Sequence, residues 1–430
     1  MLKLNHMGER LKVVADNKIN TQTGLPGNNR KKLLINQGIF SLGHFIIDLY
    51  MNLLPPILPL ISRNMGLSLA LAATVLSAKS ITSSFLQPYL GYLIDQKQNK
   101  WLLPVSVLWV TVTMGLVGVV DNYYLLLILS ALSGIGSALY HPLGSTYSNL
   151  FAEHNKGLAV SIFSTGGSLG FAVAPAVVMP VVIYFGLSGT LLLMLPGLAA
   201  TLLFILFNIY YLKETEPVVT KRSGDRKDKV LAISTNRSRL SGFQRVGKHK
   251  LAAVTVLSLI VILRSIVHSG MVTFLPYYFQ QLGYNELVGG RWLSLFLLCG
   301  ALAGVFGGYI SDRYGREKVT VISLIAAACF LFIFLNSAGL FSLIVLIVSG
   351  GMLLLSIPVT IIYAQEILPG NKGFVAGLMM GLCYGIAGLT ITPLGIAADL
   401  WGLKWVMGLF VILLLAGILL FLMMAKLKGR

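Results

Sequence analysis

Residues 308–318 read GYISDRYGREK, and 217 positions earlier residues 91–95 read GYLID. Two further pairs keep nearly the same spacing: Leu58-Pro59 with Leu275-Pro276 at 217, and Asn155-Lys156-Gly157 with Asn371-Lys372-Gly373 at 216. One short match would be chance. Three at almost one offset, each at the same place in the order of apolar runs, mark a duplicated unit.

The apolar runs begin near Leu33, Leu67, Leu102, Tyr123, Leu158, Leu187, Leu251, Leu287, Val319, Leu340, Phe374 and Leu403. Each has the roughly 20 residues that a helix needs to cross a hydrocarbon core. They lack the alternation of barrel strands, and backbone in lipid must satisfy its own polar groups, so the runs are predicted to be helices. Composition agrees, because 56% hydrophobic residues, 11% charged and a mean hydropathy of +0.81 cannot give 430 residues a polar surface. The predicted fold class is an all-α membrane protein of twelve transmembrane helices in two six-helix repeats. Both repeats have the same orientation, which relates them by an axis along the membrane normal.

The basic residues predict the sidedness. Twenty-eight of 33 Lys and Arg fall in the two tails, in the segment 213–250 and in four short loops expected on one side; three fall opposite, and Lys79 and Arg264 lie within spans. Both termini are therefore expected in the cytoplasm. The expected organisation is a cytoplasmic tail over 1–32, a six-helix half over 33–212, a basic linker over 213–250, a second half over 251–425 and a short tail over 426–430. The first 32 residues lack the apolar core and cleavage site of a signal peptide. The net charge of +18 is clustered between apolar runs rather than along one stripe, which excludes nucleic acid as the partner. Cys299, Cys329 and Cys383 all sit in apolar runs with no metal-ligand spacing, and no nucleophile–base pair stands out. Neither a cofactor, a metal nor an enzymatic activity is expected.

The loop after the eighth run, GGYISDRYGREKV from Gly307 to Val319, closely resembles the signature of major facilitator transporters between helices two and three of each half. Gly308 permits close helix approach, Asp312 ends the helix, Gly315 allows a tight turn, and Arg313, Arg316 and Lys318 stay at headgroup level. The resemblance implies a cytoplasmic latch for the outward-facing state, made by Gly308, Asp312, Arg313, Gly315 and Arg316. The first-half copy, GYLIDQKQNK, keeps Gly91 and Asp95 but lacks the Asp-Arg pair and the second glycine.

Four longer stretches narrow the resemblance: SLGHFIIDLY with LPPILPL, YHPLGSTYSNL, GLAVSIFSTGGSLGFAVAP and IYAQEILPGNKGFVAGL. Together they are similar to the fosmidomycin resistance protein family, which implies a proton-driven exporter of a small anionic phosphonate; the expected location is the inner (plasma) membrane, and a monomer is expected. Leu143 stands where that family is expected to carry a glutamate. The glycines of run five, Gly157, Gly166, Gly167 and Gly170, partly resemble an antiporter signature but lack its Gly-Pro pair, and taken by themselves they are better explained by close helix packing.

Buried charge is the sharpest signal. Only Asp48 of fifteen acids falls near the middle of a run, where an unpaired carboxylate is costly and functional by default. His44 is one turn away on the same face. Asp48 and His44 are the candidate proton carriers; Lys79, His141, Arg264 and His268, at similar depth, are the candidate substrate contacts. The plain alternative for each is a structural ion pair or a satisfied histidine. Two permanent cations against one acid favour an anionic substrate. The residues leave the direction of coupling open; the family resemblance implies a proton-coupled drug antiporter, with a symporter importing an anionic metabolite as the alternative. A sensor would need a signalling domain, and a channel would not need the latch.

Overall fold

The computed structural model describes residues 27–97, 99–150, 156–210, 248–369 and 372–428. Most of the two tails and of the basic segment, and both NKG copies in part, lie outside the described residues. Among the described residues there is no strand, and eleven helices are long and apolar enough to cross a membrane. In order they are Leu34–Met65, Leu69–Ile94, Tyr123–Leu150, Leu158–Phe185, Leu187–Tyr210, His249–Gln281, Glu286–Tyr314, Arg316–Asn336, Gly339–Ile367, Phe374–Trp401 and Leu403–Met424. The shorter apolar helix Leu102–Gly118 holds the place of span three, so the chain has the expected twelve spans, numbered here in chain order.

Two spans are interrupted where the chemistry requires it. Span one breaks between helices Gly27–Met51 and Leu54–Met65 because Pro55 and Pro56 lack the amides that would continue the ladder. Span eleven carries a π turn, Leu378–Leu382, before helix Cys383–Trp401. Span seven stays one helix, Lys248–Gln281, although Pro276 lies inside it.

Corresponding pairs pack in both halves. Span one lies on five as seven lies on eleven; two lies on four as eight lies on ten; three touches four and six as nine touches ten and twelve. Between the halves, two packs on eleven and five on eight, contacts that an axis along the bundle interchanges. Glycines set these approaches: a Cβ on Gly388 would stand 2.6 Å from Ser80, and one on Gly290 2.5 Å from Met179. Small residues at such seams let helices approach where the hydrophobic effect cannot drive them together.

Among the described residues, polar contacts join the halves on the side opposite the basic loops. Ser62 Oγ meets Tyr277 Oη at 2.7 Å, and Arg63 pairs with Glu286 at 3.1 Å. Asp399 in span eleven accepts from the amides of Leu69 and Ala70 at 2.9 and 2.8 Å, capping span two across the interface. Ser77 Oγ donates to the Gly388 carbonyl, and Ser294 Oγ accepts from the Ala176 amide. The halves are tied shut on this side.

Candidate functional site

A cavity of about 350 Å³ lies between the halves at mid-depth. It runs from Pro55, Leu76 and Ile391 towards Gln87 and Met380, that is, towards the basic side. Its first-half wall carries Asp48, Lys79 and His141 together with Ser80, Ser83, Ser84, Gln87 and Ser137. Its second-half wall is more apolar: Val272, Ile357, Met380 and Ile391 surround His268, Thr273 and Tyr384.

Asp48 sits between two histidines. Nε2 of His44 lies 3.3 Å from one carboxylate oxygen and Nε2 of His141 lies 3.5 Å from the other. His44 and Asp48 meet because they are one turn apart; His141 joins them because span four packs beside span one. The two rings are edge to face with centroids 4.9 Å apart, and Phe163 of span five stacks on His44 at 4.2 Å. Nδ1 of His44 lies 2.8 Å from the Phe163 carbonyl, which fixes the ring. Span five reaches this close because residue 167 is glycine: a Cβ there would stand 2.4 Å from His44 Nε2 and 2.6 Å from Asp48 Oδ2. The carboxylate thus stands between the two imidazoles, and the three side chains offer ligand atoms within 4.8 Å of one another. The other ionisable groups around the cluster are Tyr140 of span four, Lys79 on the same wall and, across the cavity, His268 and Tyr384.

The remaining sequence candidates divide. Lys79 is buried at the cavity wall and donates from Nζ to the Met51 carbonyl. His268 lines the cavity, and its Nε2 is buried with no hydrogen-bond partner among the described residues. Arg264, 3% exposed, is not among the lining residues; its guanidinium stands behind the second-half wall, 3.5 Å from Ser356 Oγ of span ten. No carboxylate among the described residues pairs with Lys79 or Arg264. The sequence reading missed the serines and Gln87 of span two, and it missed Phe163.

At the basic end of span eight, Gly315 has φ +91°, which favours glycine. The turn brings Arg316 back to Asp312 as an ion pair, to Glu366 of span ten at 3.3 Å and to the carbonyl of Gly308 at 3.4 Å. Arg313 lies 5.8 Å from the ring of its neighbour Tyr314. A Cβ on Gly308 would meet nothing within 4 Å. These bonds of Arg316 stay within the second half.

Comparison with known proteins follows the same lines. The chain is 27% identical over 409 residues to the uncharacterized MFS-type transporter YfnC of Bacillus subtilis, covering 94% of this chain and 96% of that one. It is 26% identical over 384 residues to the fosmidomycin resistance protein of Escherichia coli, covering 89% and 91%. Among solved structures, a bacterial homolog of the human lysosomal transporter Spinster, in an inward-facing and occupied conformation, superposes with a TM-score of 0.71 at 14% identity over 94% of this chain and 99% of that one. The nucleoside transporter NupG superposes with a TM-score of 0.68 at 16% identity, covering 91% and 99%. The family profile of the Major Facilitator Superfamily matches residues 40–392, and the chain is a multi-pass membrane transporter belonging to that family.

Proposed function

We propose that the chain is a proton-coupled secondary transporter working by alternating access, an antiporter that exports a small anionic, phosphonate-like compound across the plasma membrane. The observation that carries this reading is the His44–Asp48 pair. The Phe163 carbonyl can only accept, so Nδ1 of His44 carries a hydrogen. Its other nitrogen faces a carboxylate oxygen at 3.3 Å. Without a proton between them, two lone pairs would oppose each other in a low-dielectric site, where such mismatches are most costly. The pair is therefore built around one exchangeable proton, on Nε2 or on Oδ2. His141, at 3.5 Å from the other oxygen, gives that proton somewhere to move.

Lys79, His141 and His268 are the proposed contacts of the anion at the cavity wall, with Arg264 contributing its charge from behind. The basic side is the cytoplasm, both termini lie there, and the cavity is reached from that side in this conformation. The Gly308–Arg316 loop is the latch that closes the cytoplasmic side when the transporter opens outward; Asp312, Arg313 and Arg316 would then exchange partners for helix ends of the first half.

Similarity to the fosmidomycin resistance protein favours antiport. One observation favours a symporter instead: Asp48 lines the cavity, so an anion there is held better when the cluster has taken up a proton. The discriminating experiment measures binding of a phosphonate to the purified protein at two pH values, with proton release followed in the same sample. Binding that weakens on acidification supports antiport, and binding that tightens supports symport. Binding indifferent to pH, with no proton released or taken up, dismisses coupling at this cluster.

A further inference from the structure

Pro55 and Pro56 remove two amides from span one beside the coupling pair. In a continuous helix the amide of residue 55 would bond to the carbonyl of Met51, and that of residue 56 to the carbonyl of Asn52. The ladder instead runs through Asn52 N to Asp48 O and Leu53 N to Tyr50 O, both at 3.1 Å, and then stops. Met51 and Asn52 are buried, so a carbonyl left unmet here is costly. The donor that meets the Met51 carbonyl comes from another helix: it is the Nζ of Lys79 in span two. Lys79 is 7% exposed, and a cation on the last carbonyls of a helix also complements the helix dipole.

We infer that Lys79 is a positioning residue for the coupling pair, its ammonium replacing the amide that Pro55 lacks and so fixing the end of the helix that carries His44 and Asp48. Met51 lies one turn beyond Asp48, so a loose end at Met51 is a loose Asp48. An anion reaching Lys79 competes with the Met51 carbonyl for the same ammonium, which makes occupancy of the cavity felt at the break in span one. The inference rests on the reading of His44 and Asp48 as the proton pair, and it gives Lys79 a part that substrate contact alone does not.

The test is a double-mutant cycle on the full-length protein, purified without substrate, using Lys79→Met, Pro55→Ala and the two combined. Lys79→Met lowers the thermal unfolding midpoint by several degrees. Pro55→Ala restores the amide, so in the combined variant at least half of that loss is recovered. A loss of the same size in the Pro55→Ala background as in the native one overturns the inference. Should Pro55→Ala fail to fold, the pH profile of transport decides: Lys79→Met shifts it and Lys79→Arg, which keeps a cationic donor, does not. Equal shifts from both, or none from either, overturn the inference as well. The coupling reading fails separately, through Asp48→Asn, while the stability cycle still stands.

Discussion

Gly167 lies directly over Asp48, so close that a single methyl group on it would stand 2.6 Å from the carboxylate. No side chain fits there without moving the acid or the His44 ring, because the ring is itself held by Phe163 from the same helix. Gly167→Ala is therefore expected to lower proton-driven transport by about tenfold or more and to displace its pH profile, through an overpacking penalty of roughly 1–3 kcal/mol at this contact. Gly38→Ala, where a Cβ meets nothing within 4 Å, is the control and leaves transport unchanged. Equal activity of the two variants would show that span five does not set the geometry of the pair.

Asp399 supplies the second prediction. Its carboxylate caps two amides of span two from the opposite half, and opening the cavity away from the basic side must break both bonds. Asp399→Ala should shift the population towards the outward-open form by about fivefold, the equivalent of roughly 1 kcal/mol for bonds to an exposed charged acceptor. Distances measured between spin labels on spans two and eleven at that end report the shift. An unchanged distance distribution would remove Asp399 from the gate.

The latch gives the third. Asp312→Asn weakens the grip on Arg316, which keeps Glu366. Substrate affinity at the distant cavity should hold within about twofold, while the turnover rate falls by about tenfold, as expected for a change confined to a conformational step. Stopped-flow exchange and equilibrium binding on one preparation separate the two quantities. Unchanged turnover would reduce the loop to a topological marker.

Much of the fold could be read from residues alone, because span length, the two GY-x-x-D copies and the basic loops each report a separate physical constraint of the bilayer. Leu102–Gly118 shows the limit: its hydropathy marks a span, but only packing against spans four and six keeps so short a helix in register. At the site, His44 and Asp48 were legible because they share one helix and one face. His141 was not placed against Asp48, since that contact depends on how span four meets span one. Ser80, Ser83, Ser84 and Gln87 recur at i, i+3, i+4 and i+7, a polar stripe on an apolar helix that could have marked the cavity wall. Arg264 was expected at the substrate on depth alone; depth does not say which way a side chain leaves its helix, and it lies behind the wall.

Everything proposed for coupling depends on the transported proton residing on the His44–Asp48 pair. A comparison of wild type and Asp48→Asn in proteoliposomes probes this, with substrate exchange at equal pH on both sides and uptake driven by a pH gradient recorded on the same vesicles. Asparagine fills the space and hydrogen-bonds to His44 but takes up no proton. Exchange should persist within about tenfold of wild type while gradient-driven transport disappears, the pattern expected when only the proton-carrying step is lost. Gradient-driven transport in Asp48→Asn equal to that of wild type would be the opposite outcome, and the proton would then have to be carried elsewhere in the chain.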